Sequence, residues 1–108
     1  MNRVLLTRRI SFSSGHRYWK DDLGEAENHA LYGPWASRFN HGHNYVLSVS
    51  CKGVVDDSTG MVVNIKRIDD LLQDQIVARF DQRSINDEVP AFRDLSPTLE
   101  NLLQYFSS

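Results

Sequence analysis

Two stretches of this chain alternate apolar and polar side chains, and two others place apolar residues every three or four positions. From Arg3 to His16, the residues Val4, Leu6, Ile10, Phe12 and His16 share one parity, interrupted only by Arg8, while Arg3, Thr7, Arg9, Ser11 and Ser13 share the other. Successive side chains of a strand leave opposite faces, so the pattern predicts a half-buried strand with His16 extending its apolar face. The pattern returns in a second predicted strand from His43 to Val55. His41, His43, Tyr45, Leu47, Val49 and Cys51 take one parity there, and Asn44, Ser48, Ser50 and Lys52 take the other. Ile65, Ile68, Leu72, Ile76 and Phe80 then form the stripe of a helix, with Asn64 as its N-cap. A second helix is expected from Ser96 as N-cap and Pro97 at the first helical position, with Leu99, Leu102, Leu103 and Phe106 inside. Residues 17 to 39 show no sustained period and read as a long loop with one helical turn near Glu25 to Ala30. Long loops inside compact domains are often functional.

The order strand, strand, helix, helix predicts an α+β fold: an antiparallel sheet with two helices packed on one face. A two-stranded ribbon has little independent stability and two open edges. Either other chains pair with those edges, or further strands belong after Ser108; both readings stand.

Composition narrows the function. With 108 residues and 41% hydrophobic content, residues 1–108 are expected to form one domain. Twelve basic against 14 acidic residues, a net charge of −2, leave no basic stripe for a phosphate backbone, so no nucleic-acid partner is expected. Val4-Leu5-Leu6 is far too short an apolar run for a membrane span, which predicts a soluble cytoplasmic protein with no membrane partner. Cys51 is the only cysteine, which excludes an intrachain disulfide and agrees with a reducing compartment; its parity assigns it to the core.

The candidate chemistry lies at the strand ends. His41 and His43 are two apart on one strand and leave the same face, and His16 stands at the end of the other strand with the same relation to the core. Three nitrogen ligands with an open fourth position are the pattern of a catalytic zinc site. His41-Gly42-His43 alone reads equally well as a surface turn. His29 has no partner pattern and reads as solvated. Asp81 reads as a group orienting a proton carrier or as a helix-end cap, and Glu100 is favoured in a first helical turn by the helix dipole. Trp19, Tyr32 and Trp35 could stack on a flat heterocycle or simply cover a core edge.

Six ordered motifs then carry a resemblance: Ser11-Phe12-Ser13-Ser14-Gly15-His16, Glu27-Asn28-His29-Ala30-Leu31-Tyr32-Gly33, His41-Gly42-His43-Asn44-Tyr45, Thr59-Gly60-Met61-Val62-Val63-Asn64, Phe80-Asp81 and Ser96-Pro97-Thr98-Leu99-Glu100-Asn101. From about residue 10 to its end the chain resembles the 6-pyruvoyl-tetrahydropterin synthase and 6-carboxytetrahydropterin synthase family. The resemblance implies a tunnelling fold and a homo-oligomer, a trimer or hexamer whose subunits join their strands into a barrel. It implies Zn2+ held by His16, His41 and His43, a pterin substrate such as dihydroneopterin triphosphate, and pterin contacts from Thr98 and Glu100. The family pattern has a Cys where this chain has Trp35 and an Asp-His pair where it has Asp81-Gln82, and it continues into two more strands, one carrying a pterin-gripping Glu. Neither Trp35 nor Gln82 can exchange a proton near neutral pH. The expectations that follow are a zinc-dependent pterin lyase of changed mechanism, with a metal-activated water or Glu27 as base and Asp81 assisting, or a zinc- and pterin-binding paralogue without the usual turnover. A zinc hydrolase acting on another substrate is a third reading.

Overall fold

The computed structural model describes residues 2–107. Strand β1, Arg3–His16, pairs antiparallel with strand β2, His41–Val54, along its whole length, from Arg3 opposite Val54 to His16 opposite His41. The second strand therefore begins at His41, two residues earlier than the alternation predicts, and the His41-Gly42-His43 run lies within it. The expected antiparallel sheet gains one feature. A two-residue strand β3, Arg83–Ser84, adds parallel to β1 at Ser14 and Gly15, which makes a small mixed sheet in the order β2-β1-β3.

The stretch expected to be an irregular connection after Phe80 is built onto β1. The Ser13 N–H donates to Asp81 Oδ1 at 2.8 Å, the Gln82 N–H donates to the Ser13 carbonyl at 2.6 Å, and the Ser14 hydroxyl donates to the Phe80 carbonyl. To make this turn Gln82 takes a φ of 60°, a left-handed conformation that is unfavourable for a residue with a side chain. A short helix α4, Ile85–Glu88, follows, and Ile85, Val89 and Phe92 all enter the core.

Residues 17 to 39 are more ordered than their sequence suggests. Helix α1, Glu25–Tyr32, replaces the single expected turn. Its buried Asn28 holds the preceding loop: Oδ1 accepts from the Lys20 N–H at 2.7 Å, and Nδ2 donates to the carbonyls of Lys20, Leu23 and Gly24 at 3.0–3.3 Å. A buried amide is stable only when so satisfied. Gly33 ends α1 at φ 63°, ψ −141°, a conformation open only to glycine, and turns the chain into the Gly33–Trp35 3-10 turn.

The first predicted helix is present as one run over residues 65–80: α2, Ile65–Leu72, a π turn, Gln73–Val77, and α3, Ala78–Phe80. Asn64 caps it, accepting from the Lys66 N–H at 3.0 Å. Ile68, Leu72, Ile76 and Phe80 are each four apart, and in an α-helix that spacing drifts by about 40° per step. The wider π turn offsets the drift, and all four are buried. The last helix, α5, Leu99–Ser107, starts later than expected. Thr98, not Ser96, caps it: its hydroxyl oxygen accepts from the Asn101 N–H at 3.2 Å and its carbonyl from the Leu102 N–H at 2.9 Å. The Ser96 hydroxyl is instead bonded to the Tyr32 hydroxyl at 2.7 Å, and Pro97 lies buried just outside the helix.

Both predicted helices pack on the same sheet face. Phe12, Ile68, Leu72, Ile76, Phe80, Ile85, Val89, Phe92 and Leu102 form the core, with Tyr45, Leu47, Val49 and Cys51 of β2 partly buried against it. Phe80 is its hub, with ring centroids 5.1–6.3 Å from Phe12, Phe92, Tyr105 and Phe106. Among the described residues the outer edge of β2 and most of the outer edge of β1 carry no strand partner. No helix among them is long and apolar enough to cross a membrane.

Phe80→Ala should cost about 3–5 kcal/mol of stability, the range for emptying a packed aromatic site. Leu103→Ala, at a position 57% exposed, should stay within about 0.5 kcal/mol. Urea midpoints followed by circular dichroism check the contrast, and similar midpoints for the two variants would contradict the placement of the core.

Candidate functional site

The register of β1 and β2 decides which side chains meet. His16 lies opposite His41, and Ser14 lies opposite His43. Directly paired residues share a face, so the three imidazoles leave the helix-bearing side together and continue the row of Phe12 and Tyr45. The rings form a chain from core to surface. Phe12 stacks on Tyr45 at 5.1 Å, Tyr45 meets His43 edge-on at 6.1 Å, His43 stacks on His16 at 4.6 Å, and His16 meets Tyr18 at 5.0 Å. Tyr18 in turn stacks on Tyr32 at 5.7 Å.

His16 is the buried member of the trio, 7% exposed, and its Nδ1 has no hydrogen-bond partner. Its pKa is lowered to about 4, first by burial and then by the neighbouring His43 and His41 imidazoles. A neutral imidazole with a free ring nitrogen is a metal ligand in waiting. As they stand, however, the His16 and His43 planes lie 17° apart and ring to ring. Lone pairs lie in the ring plane, so stacked rings do not aim at one point. Among the described residues no group of three His, Cys, Asp or Glu side chains is arranged to hold a metal ion. The donor chemistry, the shared face and the orphaned Nδ1 fit a zinc site; side-chain rotations are needed to close it.

The imidazoles line a cleft of about 1170 Å³. Trp35 and Leu31 form one wall, Thr98, Leu99 and Glu100 at the start of α5 another, and Tyr18, Tyr32 and Tyr45 complete it. Burial raises the pKa of Tyr18, as do the nearby Glu100 charge and Tyr32; burial raises that of Tyr45, with Tyr18 adding to it. These phenols therefore stay neutral at ordinary pH. Trp35 is 72% exposed and set by the turn after Gly33.

Other sequence candidates lie elsewhere. Asp81 is engaged with the Ser13 backbone, and Gln82 lines an adjoining recess of about 420 Å³ with Ser13, Gly15 and Arg83. His43 borders both hollows. Glu27 is exposed at the start of α1, where its carboxylate accepts from the Gly24 N–H at 3.4 Å. Trp19 faces a third hollow of about 470 Å³, with Arg38 5.8 Å above its ring and the exposed His29 edge-on at 6.3 Å. Cys51 is partly buried against the core.

Sequence reasoning missed a polar frame beside the imidazoles. Arg17, next to His16, forms a two-pronged ion pair with Asp87 at 2.7 and 2.8 Å, which holds the Asp87 carboxyl down at about 2. The Asn86 amide bonds both the N–H and the carbonyl of Arg17, at 2.8 and 3.0 Å. These partners are about 70 positions apart in the chain, and no local pattern links them.

The sequence profile of the 6-pyruvoyl tetrahydropterin synthase family matches residues 5–108. The chain is 40% identical over 99 residues to a 6-pyruvoyl tetrahydrobiopterin synthase of Dictyostelium discoideum, covering 92% of this chain and 72% of that protein. It is 36% identical over 100 residues to the Homo sapiens protein of that name, covering 93% and 69%. The solved structure of Caenorhabditis elegans 6-pyruvoyl tetrahydropterin synthase superposes with a TM-score of 0.86 at 32% identity, covering 97% of this chain and 74% of that one.

Burial of a neutral His16 should make the fold sensitive to mild acid. An unfolded His titrates near about 6.5, while folded His16 titrates at about 4, so between these values only the unfolded chain binds the proton. Stability should be full above about pH 6.5 and fall as pH drops toward 4. Chelator-treated protein should show a lower urea midpoint at about pH 5 than at about pH 7, and His16→Gln should flatten the difference. An undiminished difference in that variant would assign the effect to another group.

Proposed function

The chain belongs to the 6-pyruvoyl tetrahydropterin synthase family, and we propose that it is a zinc-dependent lyase that binds a pterin, dihydroneopterin triphosphate or a relative, in the histidine-lined cleft. The observation that carries this reading is the meeting of three imidazoles from two strands with Thr98 and Glu100 in one cleft. In this reading His16, His41 and His43 hold the zinc ion, which when bound supplies Lewis-acid polarisation of the oxygens on the pterin side chain. The Glu100 carboxylate suits the parallel N–H donors of an aminopyrimidine edge. Thr98, whose oxygen already accepts from Asn101, keeps its hydroxyl proton to donate. Trp35, Leu31 and Leu99 supply apolar walls that exclude water from a flat ring. Asp81 and Glu27 remain the candidates for moving protons.

Trp35, the residue that enters the cleft at the family's Cys position, carries no exchangeable base, and Glu27, Asp81 and Gln82 are not among the cleft-lining residues. That favours a zinc- and pterin-binding paralogue without the family's standard proton transfer, each step of which is typically worth ~10²–10⁴-fold. In both readings the protein works in the cytoplasm as a homo-oligomer, a trimer or hexamer; in support of the oligomer, among the described residues the outer edge of β2 and most of that of β1 have no strand partner and offer backbone groups that other copies can pair.

Triphosphate release from dihydroneopterin triphosphate separates the two. A lyase should release it on the order of 10²-fold faster than the His16→Ala, His41→Ala double variant, since metal polarisation is worth several kcal/mol. Equal rates, with pterin binding retained only by the unsubstituted chain, would replace the lyase with the binding paralogue.

A further inference from the structure

The backbone pairing of β1 and β2 ends at His16 opposite His41. The last pair of an antiparallel ladder is where fraying begins, yet two of the three imidazoles depend on it. One step beyond, the side chains of Arg17 and Asn40 replace the missing ladder. Arg17 Nη1 donates to Asn40 Oδ1 at 3.1 Å, Asn40 Nδ2 donates to the Ser84 hydroxyl at 2.9 Å, and that hydroxyl donates to Asp87 Oδ2 at 2.9 Å. The Arg17 guanidinium returns to both Asp87 oxygens and closes the ring. Asn40 uses its carbonyl and its amino group, and Ser84 both donates and accepts. Ser84 is also fixed by its backbone, through its pairing with Gly15 and an N–H bond to Glu88 Oε2 at 2.7 Å. Asn86 grips the backbone of residue 17 from the same short helix.

We propose that the closed ring Arg17–Asn40–Ser84–Asp87, with Asn86 behind it, fixes the paired strand ends from which the His16 and His41 side chains turn onto a metal ion, so that Asp87, Ser84 and Asn86 are positioning residues of the site. The inference rests on the zinc reading of the imidazoles. Its physical content is that the carboxylate of Asp87 organises the flanks of both strands at once. Arg17 follows one imidazole in sequence and Asn40 precedes another, while none of the ring residues needs to touch the ion. Outer-shell partners of this kind typically contribute 10–100-fold to metal affinity.

A general charge effect is separable from this one, because β1 carries a control ion pair of its own. Arg8 also makes a two-pronged contact with an aspartate, donating through Nε and Nη2 to Asp69 at 2.9 and 2.7 Å, far from the strand end that holds His16. Zinc affinity of the full chain, measured by competition with a chelating dye, should fall on the order of 10-fold or more in Asp87→Asn and stay within about twofold in Asp69→Asn. The cobalt-substituted protein should show a tetrahedral visible spectrum that weakens or shifts in Asp87→Asn, and Asp87→Glu should recover part of both signals. If Asp87→Asn does not fold, Ser84→Ala decides, because it deletes one hydroxyl of the ring and should still lower the affinity. Zinc binding by the unsubstituted chain with equal affinities in Asp87→Asn and Asp69→Asn, or an unchanged Ser84→Ala, overturns the positioning role alone. Absence of zinc uptake by the unsubstituted chain overturns the metal reading and this inference with it.

Discussion

The pairing register of β1 and β2 is the constraint on which the rest of the molecule depends. Side chains alternate with period two, so a slip of one residue would send His16 to the opposite face and bury Ser11 and Ser13 in place of Phe12. The register is pinned by apolar burial at Phe12, Tyr45, Leu47 and Val49 and by cross-strand bonds on the open face, Thr7 to Ser50 at 2.8 Å and Ser13 to Asn44 at 2.6 Å. The site is a by-product of that register, because the row that fills the core continues past Phe12 and Tyr45 into the imidazoles.

Packing and polar bonds divide the labour along the hairpin. Toward its centre the helical run 65–80 and α5 cover one face, with Phe80 joining both helices to Phe12. At the imidazole end, where Ser14 and His16 are buried, the segment after Phe80 adds backbone bonds to Ser13, the strand β3 and the ring around Asp87. The left-handed Gln82 lets a helix end and a strand begin within three residues. That turn places Gln82 in a recess that adjoins the cleft of Trp35 along Gly42, His43 and Asn44.

The chemistry of the cleft reflects the same economy. A buried, neutral His16 with an unpaired nitrogen suits a ligand that brings its own positive charge. Neutral phenols, an exposed indole and a carboxylate at a helix start suit a flat, hydrogen-bonding heterocycle. Position 35 of the cleft is a tryptophan, whose indole does not exchange a proton as an acid or base near neutral pH, so binding and turnover are separate questions there.

Much of this was legible in the order of residues, for a physical reason. Burial acts on every second residue of a strand and every third or fourth of a helix, so β1, β2, the helical run over 65–80 and α5 announce themselves, and the same parity puts His16, His41 and His43 on one side. The six ordered motifs and the resemblance they carry are equally local. What the tertiary structure alone decided are the features made by partners distant in sequence and free of any period: Asn28 ordering the loop before α1, Thr98 rather than Ser96 capping α5, and β3 docking onto β1. The polar frame about Arg17 and Asp87 belongs with them. A hydrogen bond between residues about 70 apart leaves no trace in either neighbourhood, so the three imidazoles could be read from the chain, while the frame that holds two of them in place could not.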